Sequence, residues 1–299
     1  MLRLPARASV ALRAAGAGKR GASTKTSSGA SVYVTFRALS PTSPSSSSLA
    51  TIILNSPRAN TFDYSTLLAL SDAIAQVEAA KGTRALVLSS AIGGIFSGGF
   101  HLPAFSQIAR DDFLRLWTLA KTVYRRIHAL PVPSIAAING HALGLGCVLA
   151  MACQRRFMVQ GTAAIGLNEA AVGLPVPEWL AIRYRDLTSP RAAEQLLPTG
   201  ASLSASQALE IGLVDAIFES RDSMDAAAAS HLLAATAVSQ SAQAETIRNL
   251  RCAYLRQFDA LFEADNEQFW CAVSRPETQQ GISDALAQLK ARSRSKGKK

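Results

Sequence analysis

The chain has 299 residues, 48% of them hydrophobic and 17% charged, with a formal net charge of +10. This composition supports one large buried core or two small ones and is too apolar for a disordered chain. Its apolar runs break within a few residues, far short of a bilayer span, so no transmembrane segment is expected. The positive charge is concentrated at the two ends. Arg3, Arg7, Arg13, Lys19, Arg20 and Lys25 crowd the start, no acidic residue precedes Asp63, and Lys290, Arg292, Arg294, Lys296, Lys298 and Lys299 close the chain. The body between is nearly neutral and lacks the basic stripe that duplex binding needs, so no nucleic-acid partner is expected.

Residues 1–26 are Arg-rich, Ala/Ser-rich and free of acid, the composition of a mitochondrial or plastid transit peptide, and the arginine density near the start favours the mitochondrion. The mature protein is therefore expected in the mitochondrial matrix. Cys147, Cys153, Cys252 and Cys271 show no CxxC spacing, so buried free thiols and no metal site are expected.

Residues 31–36 alternate as a strand, and "SPTSPSSSS" after them reads as a flexible hairpin loop before a second strand at 50–54. From Asp63 the period becomes helical, through Tyr64, Leu67, Leu70, Ile74 and Val77 to about Ala80. A short apolar strand at 85–88 leads into the glycine-rich "AIGGIFSGGF". A helix over 111–129 stops at "PVPS". A buried strand at 134–138 then precedes "NGHALGLG", a helix to Cys153 and a strand at 156–159. Ser189-Pro190 reads as a helix start, and Ser204 with Gln207 as a capping box. Residues 27–222 form the expected core, 223–293 a helical C-terminal region and 294–299 a basic tail. Strand–helix–strand units with glycine turns at strand ends predict an α/β fold, with its site beyond the strand ends.

Two glycine turns follow apolar strands: Ser97-Gly98-Gly99-Phe100, and Gly140 to Gly146. Each is expected to open a helix, so that free N–H groups face a phosphate or a developing oxyanion, although tight packing turns would look the same. Glu169 stands alone in the apolar stretch "AAIGLNEAAVGLPVP". Desolvation there would raise its pKa towards that of a usable general base, while a surface loop glutamate is the plain alternative.

In this order and spacing, "FSGGFHL", "AAINGHALGLGC", "IGLNEAAVGLPVPEWL" and "RAAEQLL…SASQALEIGLVD" resemble the crotonase family, most of all its mitochondrial enoyl-CoA delta-isomerases, over residues 31–293. The resemblance implies a crotonase-like spiral of ββα repeats with a helical C-terminal trimerisation region, usually a homotrimer. It implies an acyl-CoA thioester as substrate, coenzyme A being part of that substrate and not a separate cofactor. It places Glu169 as the catalytic base and the N–H groups of Gly98 and Leu145 as the oxyanion hole. Gly99, Phe100, His101 and Leu102 then fall on the CoA-facing segment, and Asn168 beside the acyl chain. The implied reaction moves a 3-enoyl double bond to C2, a step of fatty-acid β-oxidation. Hydratases resemble this layout but carry a second glutamate where this chain has Val148, which disfavours hydration. Two positions depart from the family: Leu145 stands where glycine is usual, and His101 replaces a usual aspartate. Those departures and the basic tail leave two alternatives, a crotonase-fold structural subunit of a larger mitochondrial assembly and another acyl-CoA activity such as hydration.

Overall fold

The computed structural model describes residues 30–39, 47–57 and 59–296, with side chains to residue 291. The expected transit peptide, most of the serine-rich stretch and the end of the basic tail lie outside these residues. Among the described residues no helix is long and apolar enough to cross a membrane.

The chain opens with a hairpin of β1 (Val32–Ala38) and β2 (Ser48–Leu54), antiparallel with Val32 opposite Leu54. Next comes α1 (Tyr64–Ala79), started by the capping pair Asp63 and Thr66. Three repeats follow, and in each one strand enters a large sheet and the next a small one. They are β3 (Thr83–Ser90) with β4 (Gly94–Ser97), β5 (Ser134–Ile138) with β6 (Gly140–Leu143), and β7 (Arg155–Val159) with β8 (Ala164–Gly166). The first closes with α2 (Arg110–Ala129), the second with α3 (Leu145–Ala152), and the third with α4 (Glu178–Leu187) and α5 (Pro190–Leu196). Then β9 (Leu203–Ser204), α6 (Ala205–Glu210) and β10 (Ala216–Phe218) lead to α7 (Arg221–Ala235), α8 (Gln240–Val273) and α9 (Pro276–Lys296). The large sheet runs β1-β2-β3-β5-β7-β10 and the small one β4-β6-β8-β9. This is the expected spiral of ββα repeats with a helical end.

The large sheet is buried on both faces, so β3 reads as a continuous apolar run without alternation. Ala85 and Val87 meet Met224, Ala228 and Leu232 of α7, while Leu86 and Leu88 face the main core. The capping signals hold: Ser189 accepts from the Ala192 N–H at 3.1 Å, and Ser204 with Gln207 closes a capping box.

Both glycine-rich segments contain strands that the sequence reading leaves as turns. The main chains of β4 and β6 approach so closely that a β-carbon on Gly140 would lie 1.8 Å from the Gly94 carbonyl carbon. Glycine is compulsory there. It also erases the side-chain alternation by which a strand is recognised.

Candidate active site

Strand pairing brings the nominated residues to one end of the small sheet. β4, β6 and β8 run parallel, with Ala142 opposite Ile165 and Leu143 opposite Gly166. The segments leaving these strands, Gly98 to Phe100, Gly144-Leu145 and Asn168-Glu169, therefore emerge side by side. Together with α2, α4 and α8 they line a pocket of about 810 Å³, its mouth included.

The second turn is the simpler. Gly144 has φ +51° and ψ −121°, which a side chain would strain, and its N–H donates to the Gly166 carbonyl at 3.0 Å. Leu145 then begins α3, where the first N–H groups have no intrahelical acceptor. Since Leu145 lies within the helix, its β-carbon needs no unusual backbone. Its side chain packs into the core and lines the pocket.

The first turn corrects one expectation. The N–H of Gly98 donates to the Ala59 carbonyl at 3.0 Å and is not available to a ligand. The Gly99 N–H donates to Ser97 Oγ at 3.1 Å, and the His101 N–H to the Phe62 carbonyl at 2.8 Å. That leaves the N–H of Phe100, which has no acceptor among the described residues, as the donor on this side. The turn opens a single 3₁₀ turn, Leu102–Ala104, in place of the expected helix. The two turns touch: a β-carbon on Gly99 would lie 2.7 Å from the Leu143 carbonyl oxygen and 3.3 Å from the Leu145 nitrogen. This contact sets the Phe100 and Leu145 amides beside one another.

The first turn is held by residues that the sequence reading passes over. Buried Asn60 donates to Ser90 Oγ at 2.8 Å and to the Phe96 carbonyl at 3.0 Å, and accepts from the Ser56 N–H at 2.7 Å. Ser97 Oγ donates to the Asn60 carbonyl at 2.7 Å.

Glu169 opens a 3₁₀ turn, Glu169–Val172, and its Oε1 lies 3.8 Å from where a β-carbon on Gly144 would sit. The carboxylate therefore faces the second turn. Its Oε2 is buried with no hydrogen-bond partner among the described residues. Burial pushes its pKa up from 4.5 to about 7, which suits a base at neutral pH. Glu169 is the only carboxylate among the described residues lining the pocket. Gly98, Gly99, Phe100, Leu102, Leu145 and Asn168 line it too. His101 does not: its Nδ1 lies 3.3 Å from Thr61 Oγ1, outside the pocket wall.

With this geometry in place, the likeness to known proteins is decisive. Residues 45–292 match the enoyl-CoA hydratase/isomerase family model. The chain belongs to that family. "Enoyl-CoA delta isomerase 1, mitochondrial" of Rattus norvegicus is 27% identical over 243 residues, covering 81% of this chain and 84% of that protein. Crotonyl-CoA hydratase of Syntrophomonas wolfei is 31% identical over 172 residues, 57% of this chain and 66% of that protein. Among solved structures, human mitochondrial delta3-delta2-enoyl-CoA isomerase superposes with a TM-score of 0.78 at 25% identity, over 82% of this chain and 95% of that one. In this crotonase the pocket lies between the two glycine turns and the helices.

This crotonase also carries polar groups in its helical wall that the sequence reading does not single out. Lys121 of α2 is buried and lines the pocket, 3.1 Å from Asp265 of α8, and it donates to the Phe262 carbonyl. Asp265 accepts in addition from the Trp117 indole at 2.7 Å. Burial lowers the Lys121 pKa, and Asp265 opposes that shift.

Proposed function

We propose that this crotonase is an enoyl-CoA delta-isomerase that converts 3-enoyl-CoA to 2-enoyl-CoA in fatty-acid β-oxidation, working in the mitochondrial matrix as a homotrimer. The observation that carries this reading is the lone pocket carboxylate, Glu169, facing the turn that supplies an amide donor. A 1,3-proton shift needs one base. Glu169 takes the C2 proton, the negative charge moves through the dienolate to the thioester oxygen, and the N–H groups of Phe100 and Leu145 receive it. The protonated carboxyl then returns the proton at C4. Removing one such amide donor typically costs about 3–4 kcal/mol of transition-state stabilisation.

Hydration needs a second group to position water, and the position that hydratases use for it is apolar here. Val148 lines the pocket and is buried in the core. The mitochondrial isomerases of rat and human among the relatives support the compartment and the direction of the chemistry. The reading is tested by giving the purified protein a 3-enoyl-CoA and following the absorbance of the conjugated thioester. Turnover that disappears in Glu169→Gln supports it. Water addition to a 2-enoyl-CoA would make the protein a hydratase, and an inactive wild type that co-purifies in a large complex would make it a structural subunit.

A further inference from the structure

The pocket wall formed by α2, α4 and α8 is not the uniform hydrocarbon surface that a plain fatty chain prefers. Trp179 of α4 lines the pocket at 3% exposure, and its indole nitrogen is buried with no hydrogen-bond partner among the described residues. A buried indole N–H normally finds an acceptor, so this one lacks something. Lys121 stands in the same wall. Its ammonium has three hydrogens; Asp265 and the Phe262 carbonyl take two, and the remaining one has only the face of the Phe262 ring, whose centre lies 4.1 Å from the nitrogen, and no oxygen or nitrogen acceptor among the described residues. The two donors belong to one aromatic cluster: Trp117 lies 6.3 Å from Trp179 between ring centroids, and the Lys121 ammonium lies 6.0 Å from the Trp117 ring centre.

We propose that this wall selects an acyl chain carrying a neutral oxygen, a hydroxyl or keto group, received by the Trp179 indole N–H and the spare hydrogen of Lys121. The inference rests on reading the pocket as the acyl site. Charge argues against a terminal carboxylate, because Asp265 already neutralises Lys121 and a second anion would have no cation of its own. Both donors are already buried, so an all-hydrocarbon chain leaves them unpaired, whereas an oxygen on the chain gives them an acceptor, a gain of roughly tenfold in affinity for each. A neutral acceptor satisfies both and adds no charge. This places the substrate among oxygenated unsaturated acyl-CoAs, the product class of a hydroxylation or peroxide-reduction step on the fatty chain.

The test is calorimetric binding of saturated acyl-CoAs to the full chain, comparing the plain acyl chain with isomers hydroxylated at successive carbons. One position should bind at least tenfold tighter than the plain chain, and Trp179→Phe should abolish that preference. Phenylalanine keeps an aromatic ring but leaves a cavity among the Trp117, Tyr124 and Phe258 rings, so a lower melting temperature is expected and the readout is the ratio of hydroxylated to plain binding, which lost packing alone would not move. Replacing the ion pair while keeping an oxygen for the Trp117 indole, Lys121→Met with Asp265→Asn, should weaken the hydroxyl preference. Equal binding of plain and hydroxylated chains overturns the inference, as does a preference that survives in both variants. Saturated chains cannot isomerise, so this result is independent of turnover. A protein that shows the preference without moving the double bond refutes the isomerase reading alone.

Discussion

Gly146 lies against Ser97 so closely that a β-carbon at 146 would sit 2.6 Å from the Ser97 carbonyl oxygen and 2.8 Å from its β-carbon. The start of α3 is thereby pressed onto the end of β4. Because each of those elements leads to one of the two proposed amide donors, this contact sets the spacing between them. Gly146→Ala should separate them. Thermal unfolding should show a loss of about 1–3 kcal/mol, and kcat/KM should fall with it even though no substrate-facing atom has been removed.

Leu145 permits a cleaner deletion of one donor. Proline is tolerated at the first position of a helix, where its missing N–H has no intrahelical partner to lose. Leu145→Pro should therefore keep α3 while removing the amide from the pocket. A fall in kcat of about 10²–10³-fold is expected. Gly98→Ala makes the contrasting measurement, since the N–H at 98 is bonded to the Ala59 carbonyl. Its β-carbon would meet only the Thr61 methyl at 3.3 Å at closest, so its loss should be far smaller.

Glu169 makes activity and stability respond to pH in opposite directions. Its carboxyl holds a proton up to about pH 7 in the folded protein, against 4.5 when solvated. The base acts only when ionised, so kcat/KM should rise as pH increases through about 7 and level off above it. Between 4.5 and 7 the folded state binds the proton that the unfolded state has released, so stability falls with rising pH across that window. Relative to Glu169→Gln, the wild type should lose melting temperature from pH 4.5 to beyond 7. The variant itself should lose about 10²–10⁴-fold in turnover.

Thiol titration checks the packing independently. Cys147 and Cys153 are buried, and burial pushes their pKa up, Cys153 to about 12, while Cys252 and Cys271 are exposed. In the native protein a disulfide reagent should reach Cys252 and Cys271 promptly, and the other two should react only after denaturation. Fast reaction of Cys147 would contradict the core position of α3. All four were expected to be buried from their spacing alone, and their sequence neighbourhoods explain the division. Cys147 lies within an all-apolar helix and Cys153 caps its end, whereas Cys252 and Cys271 sit on α8, whose periodicity marks one face without saying how wide the contact is.

The same distinction runs through the whole molecule. Periodicity and apolar runs revealed α1, α2 and the large-sheet strands β1, β2, β3, β5 and β7, but not β10, which is three residues long. They also missed β4 and β6, which are four residues long and hold a glycine at their closest approach. Glu169 was conspicuous as a lone acid among apolar residues, but composition fitted a surface loop equally, and only the family resemblance nominated it for the site. The identity of the first amide donor was not readable, since which N–H of a turn is already spent depends on Ala59 and Phe62, far back in the chain. Lys121 was not singled out at all. Its partner Asp265 is more than a hundred residues away, and no local pattern reveals such a pairing.

The long helix α8 carries one more implication. Near its start Arg251 donates to the carbonyls of His128 and Leu130 at 2.6 and 2.8 Å, closing the end of α2, and further along Phe269 lines the pocket while Asp265 anchors Lys121. The carboxyl-terminal helices are thus not an appendage that a genetic deletion could spare. A fragment ending at residue 222 would keep Glu169 and the Phe100 and Leu145 amides yet lose the part of the pocket wall that Phe269 supplies and the partner of Lys121. Exchanging this segment between family members would graft one enzyme's taste in substrates onto another's bond-making machinery.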